Sequence, residues 1–146
     1  MQAAMQNQRT QARVMWLAVG LAFATAQAYI LMQMNVLGVG DLTGAEKPAG
    51  LIYLAAGGYV LGGLLILMRR RWLWIVGLII NGMVILAFVN FYAARPSVLL
   101  SPGGLVSKLA QLLLELALLY LIVADWRSAR EAAAGSASLA GDGRLS

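Results

Sequence analysis

Residues 69–92 read RRRWLWIVGLIINGMVILAFVNFY. Three arginines precede an uncharged stretch from Trp72 to Tyr92 in which Asn81 and Asn90 are the only strongly polar side chains. A helix that crosses a hydrocarbon core about 30 Å thick needs roughly 20 mostly apolar residues. The stretch has that length. Unpaired backbone groups are costly in lipid, so a span is either a helix or part of a closed barrel. The apolar run is continuous rather than alternating and about twice the length of a barrel strand, so a helix is predicted.

Outward from this segment the same pattern repeats. Spans are predicted at about 14–37, 49–68, 72–92 and 106–124. The fold expected is therefore an all-α integral membrane protein, a four-helix antiparallel bundle with both termini cytoplasmic. Residues 1–13 form a cytoplasmic N-terminal segment, 14–127 the transmembrane domain, and 128–146 a flexible cytoplasmic tail rich in Ala, Gly and Ser. Composition agrees. Hydrophobic residues make up 61% of the chain and charged ones 12%, against about 25% charged in a soluble domain.

The connections carry their own signals. Gly38, Gly40, Asp41, Gly44 and Pro48 break the chain after the first span, and Thr43 with Glu46 has the spacing of a capping box. Arg69, Arg70 and Arg71 leave so short a link that the second and third spans are expected to be antiparallel neighbours. Ser101-Pro102 suits an N-cap and first-turn pair opening the last helix. Ser97 to Leu100, between two prolines, is read as lying at the outer interface.

Orientation follows from the basic residues. Arg9, Arg13, Arg69, Arg70, Arg71, Arg127, Arg130 and Arg144 fall on one side; Lys47, Arg95 and Lys108 fall on the other. The richer side is read as cytoplasmic, in a bacterial plasma (inner) membrane. Trp16, Trp72, Trp74 and Trp126 are expected to form an aromatic belt at that boundary. The net charge of +5 then reflects topology and anionic headgroups, and nucleic acid is not an expected partner. Arg9 to Ala28 also has the outline of a signal peptide, but the apolar run continues to Leu37, which favours an uncleaved span.

The chain contains neither cysteine nor histidine. That removes thiol chemistry, the commonest zinc ligand and the His-based catalytic triad. No metal, cofactor or enzymatic role is expected. Met32 and Met34 read as apolar filler, and Gly62-Gly63 and Gly103-Gly104 lack the Lys-Ser/Thr of a phosphate loop.

Polar residues inside the spans are the informative ones. Glu115 is the one charge deep within a span. Counting inward from the span ends at about 1.5 Å per residue puts Tyr59, Asn81 and Glu115 at one depth and Gln27 and Gln111 about one turn further out. Ser107, Lys108, Gln111 and Glu115 share a helix face; Leu113, Leu116, Ala117 and Tyr120 form the opposite, lipid-facing side. Glu115 must face the interior or a protein partner. The five residues read either as interhelical hydrogen-bond glue or as a proton, cation or ligand site.

Gly58 and Gly62, flanked by Gly57 and Gly63, form a GxxxG that lets two helix backbones approach closely. Its partner is either the third span, through Gly77 and Gly82, or another subunit. The arginine triplet is a positive-inside signal and a candidate for an anionic lipid headgroup. Size and four-span layout resemble the DoxX-like group and the small multidrug transporters. The latter carry an essential glutamate in their first helix, where this chain has no acid, so their activity does not carry over. The expected role is a non-enzymatic accessory or assembly subunit, with the lipid bilayer and other membrane subunits or itself as partners. A small transporter or ligand-binding protein centred on Glu115 is the alternative.

Overall fold

The computed structural model describes the backbone of residues 2–40 and 49–142 and the side-chain surroundings of 8–40 and 50–134. The Thr43–Glu46 pair lies outside the described residues. Five helices follow one another: α1 (Gln2–Gln33), α2 (Ala49–Ile66), α3 (Arg71–Tyr92), α4 (Pro96–Leu99) and α5 (Pro102–Asp142). No strand occurs among the described residues. Three helices hold stretches long and apolar enough to cross a membrane, at Gln8–Gln33, Arg71–Tyr92 and Pro102–Ala134; the apolar run of α2, Gly50–Ile66, is shorter.

The helices outrun the predicted spans at both chain ends. α1 begins at Gln2 rather than Val14, and α5 continues to Asp142 rather than giving way to a coil near residue 128. The added segments, Gln2–Arg13 and Arg127–Ala134, are rich in Ala, Gln, Met, Arg and Glu, all good helix formers. At its other end α1 stops at Gln33, short of the predicted Leu37. Asn35 takes a left-handed φ of 59°, and the Val36 and Leu37 amides donate to the Leu31 carbonyl at 3.0 and 3.1 Å. The last turn is thereby closed.

α1 is the centre of the bundle. It packs along α2 on one side and α5 on the other, and α3 lies against α5. α2 and α3, joined by a tight turn with Arg69 at φ 52°, approach each other only slightly. A short loop fixed their order, but the long contact of α2 is with α1. Small residues on α1 explain that choice: Ala18, Ala22 and Ala26 are buried, and a Cβ at Gly63 would sit 3.3 Å from that of Ala22.

An apolar core fills one half of the bundle. Met15, Ala18, Val19 and Ala22 meet Ile66, Trp74, Leu114, Ala117, Leu118 and Leu121. Two expectations are corrected here. Trp74 is not part of an interfacial belt; it is buried, and its Nε1 donates to the Ile66 carbonyl at 3.2 Å, which also accepts from the Arg69 amide at the end of α2. Ala117 does not face lipid, although Leu113, Leu116 and Tyr120 are exposed as expected.

The opposite end is closed by backbone. Val98 of α4 is fully buried, and the Gly103 amide donates to the Gly38 carbonyl at 3.0 Å. Gly40, at φ +64°, lies so close to Ser97 that a Cβ would come 2.5 Å from its carbonyl oxygen. Ser101 caps α5 as its position predicts: Oγ accepts from the Gly104 amide at 3.1 Å and donates to the Val98 carbonyl at 2.6 Å.

Candidate functional site

Gln111 organises the polar interior. It is fully buried, with Thr25 and Ser107 also fully or nearly fully enclosed. Its Nε2 donates to the Tyr59 hydroxyl at 2.5 Å and to the Tyr29 hydroxyl at 3.1 Å. Its Oε1 accepts from Lys108 Nζ at 2.5 Å, and its backbone carbonyl accepts from Asn81 Nδ2 at 3.0 Å. The Tyr59 hydroxyl in turn donates to Asn81 Oδ1 at 2.6 Å. The rings of Tyr29 and Tyr59 stack with centroids 5.8 Å apart. Residues from α1, α2, α3 and α5 are thus joined at one level.

Glu115 lies one turn along α5 from Gln111. Asn81, whose Nδ2 donates to the Gln111 carbonyl, neighbours the Glu115 carboxyl group. Gly82 makes room for it: a Cβ there would stand 2.9 Å from Oε1. The other oxygen, Oε2, is buried without a hydrogen-bond partner. An unpaired buried oxygen is costly, so this is the least satisfied point of the cluster.

The bonds form a directional chain. Lys108 donates to Gln111, Gln111 to Tyr59, Tyr59 to Asn81, and Asn81 back to the Gln111 carbonyl. Each neutral side chain from Gln111 to Asn81 accepts from the one before it and donates onward. Hydrogen bonds chained in this way reinforce one another. Glu115 lies about 10 Å along the helix from Lys108, and among the described residues no ion pair joins the two.

Four of the five predicted polar residues are therefore brought together: Glu115, Asn81, Tyr59 and Gln111. Gln27 is not. It is exposed on the outer side of α1, and Tyr29 occupies the position at the cluster. Two residues turn a helix by about 200°, so depth alone did not identify the side. Lys108 belongs to the cluster more directly than its place near the end of a span implied. Its Nζ also lies 4.2 Å from the centroid of the Phe88 ring.

The helix-packing glycines divide. Gly63 is buried against Ala22 and Phe23 of α1, but a Cβ on Gly57, Gly58 or Gly62 would meet nothing within 4 Å. Gly77 and Gly82 face α5, against Leu118 and Glu115, rather than α2. The arginine triplet divides too. Arg71 forms an ion pair with Asp125 of α5 and lies 5.9 Å from the ring centre of Trp126. Arg69 and Arg70 are exposed. No group of three or more metal-ligating side chains occurs among the described residues.

Comparison with protein-family models, curated proteins and solved structures gave no match.

Proposed function

We propose that the protein is a non-enzymatic accessory or assembly subunit of a larger complex in a bacterial plasma membrane. It crosses the membrane four times, with both termini in the cytoplasm. α2 serves as the remaining span; its 18 residues rise about 27 Å, close to the hydrocarbon thickness. The eight-to-three distribution of basic residues supports the orientation.

One observation carries the subunit role. Gly57, Gly58 and Gly62 leave a bare strip on α2 that none of the other described residues covers. Small residues at this spacing favour close helix–helix contact in lipid, and Gly63 alone is used for packing within the chain. The partner of that strip is then a helix of another subunit. Native mass spectrometry of the protein extracted in mild detergent or nanodiscs tests this. A defined assembly is expected, and Gly58→Leu with Gly62→Leu should release it while leaving the bundle folded. A lone chain, or an assembly indifferent to both substitutions, overturns the reading.

The bare Oε2 of Glu115 favours a second reading, a small proton- or cation-coupled transporter or ligand-binding protein. The two separate on Glu115→Gln. A carrier loses transport and keeps its assembly; a structural role tolerates Gln, which still hydrogen-bonds.

A further inference from the structure

Lys108 lies six residues beyond Pro102, the start of α5, a rise of about 9 Å. It is therefore near one boundary of a layer about 30 Å thick. A lysine at that depth ordinarily reaches outward, carrying its charge to the headgroups. This one does the reverse. Its Nζ bonds Gln111, one turn deeper, at 2.5 Å, with a long 3.5 Å contact to the Tyr29 hydroxyl.

Among the described residues, every group that contacts the ammonium is neutral. It has the amide oxygen of Gln111, the hydroxyl of Tyr29, and the faces of Phe88 and Tyr29 at 4.2 and 5.9 Å. Among the described residues no carboxylate lies within 4 Å of it, the single ion pair being Arg71–Asp125. An ammonium carries three donors, and one good bond plus one long contact leave capacity for a stronger acceptor. The site is also open at its side. Lys108 is half-buried, and Leu109, Leu112 and Leu116, further inward on α5, are exposed.

We propose that Lys108 binds the phosphate of an anionic phospholipid, whose acyl chain runs inward along Leu109, Leu112 and Leu116. The ammonium supplies charge and a donor, Gln111 holds it inside the bundle, and Phe88 walls the site from α3. The bare leucines select an occupant with a hydrocarbon chain over a free phosphate ion.

Native mass spectrometry of the detergent-solubilised full chain, titrated with phosphatidylglycerol or phosphatidylcholine, provides the test. A preference for phosphatidylglycerol of about tenfold is expected from a charge-assisted bond. It should vanish in Lys108→Gln, persist in Lys108→Arg, and persist when Arg69 and Arg70 are both changed to Gln. Loss of the preference in the arginine double variant, or its survival in Lys108→Gln, overturns the proposal. Equal competition by oleate or inorganic phosphate overturns the choice of phospholipid. If Lys108→Gln does not fold, a photoreactive phosphatidylglycerol on the unaltered protein decides. Labelling between Phe88 and Leu112 supports the site, and labelling confined to the arginine turn refutes it.

Discussion

α1 and α3 are both apolar helices of one bundle, yet they are held in opposite ways. α1 buries a row of small side chains, Ala18, Ala22, Thr25, Ala26 and Ala28, and packs closely on two neighbours. α3 buries only Trp74 and Asn81, and both of those donate hydrogen bonds to other helices. In water a helix as bare as α3 would be a liability. In lipid, burying Ile or Leu gains little, because the surroundings are equally apolar. Close fit and polar bonds are the two remaining sources of adhesion, and each helix uses mainly one.

Substitutions can break that contrast, beginning with the residue that serves both helices. Gln111→Leu removes the acceptor of Lys108 and the donor to both tyrosines. A loss of about 3 kcal/mol is expected, read as a lower midpoint in detergent-denaturation titrations; a loss under about 1 kcal/mol would show that the network is incidental. Ala22→Leu attacks fit alone, since Ala22 faces Gly63 across α1 and α2. Overpacking there should cost about 1–3 kcal/mol, and Gly63→Leu should do the same from the other side. Asn81→Leu attacks the polar hold on α3 and should cost about 1–2 kcal/mol. A spin-label distance between α3 and α5 should broaden in that variant and stay narrow in Ala22→Leu. Ile80→Ala, on the lipid side of α3, should change stability by no more than about 0.5 kcal/mol. A larger effect would mean that α3 depends on apolar burial after all.

What the chain discloses before folding follows the same division. The long apolar helices were legible, because the bilayer imposes a minimum length on any span. That Tyr59, Asn81, Gln111 and Glu115 lie within reach of one another was legible too, since rise per residue is fixed. Faces were not. Gln27 and Tyr29 differ by two residues, about 3 Å, in depth and by more than half a turn in direction, and no amphipathic pattern distinguishes sides when lipid and core are alike. Tyr29 gave no signal apart from its hydroxyl. Neighbour relations failed for a related reason: the short arginine turn guaranteed proximity of α2 and α3 at one end, while the alanines of α1 decided the long contact. Nor was it legible that Trp74 would be buried against the Ile66 carbonyl or that Arg71 would pair with Asp125.

The length of α5 has a geometric consequence. Its 41 residues rise about 60 Å, about twice the hydrocarbon thickness, so the helix extends well beyond the layer that holds its first half. An unbroken helix transmits rotation as well as distance. Deleting one residue between Ser128 and Ala134 would draw the far end in by about 1.5 Å and swing it through about 100°. Deleting seven would shorten it by two turns and leave its heading nearly unchanged. Angular phase, more than reach, is what this segment fixes for anything attached to its end.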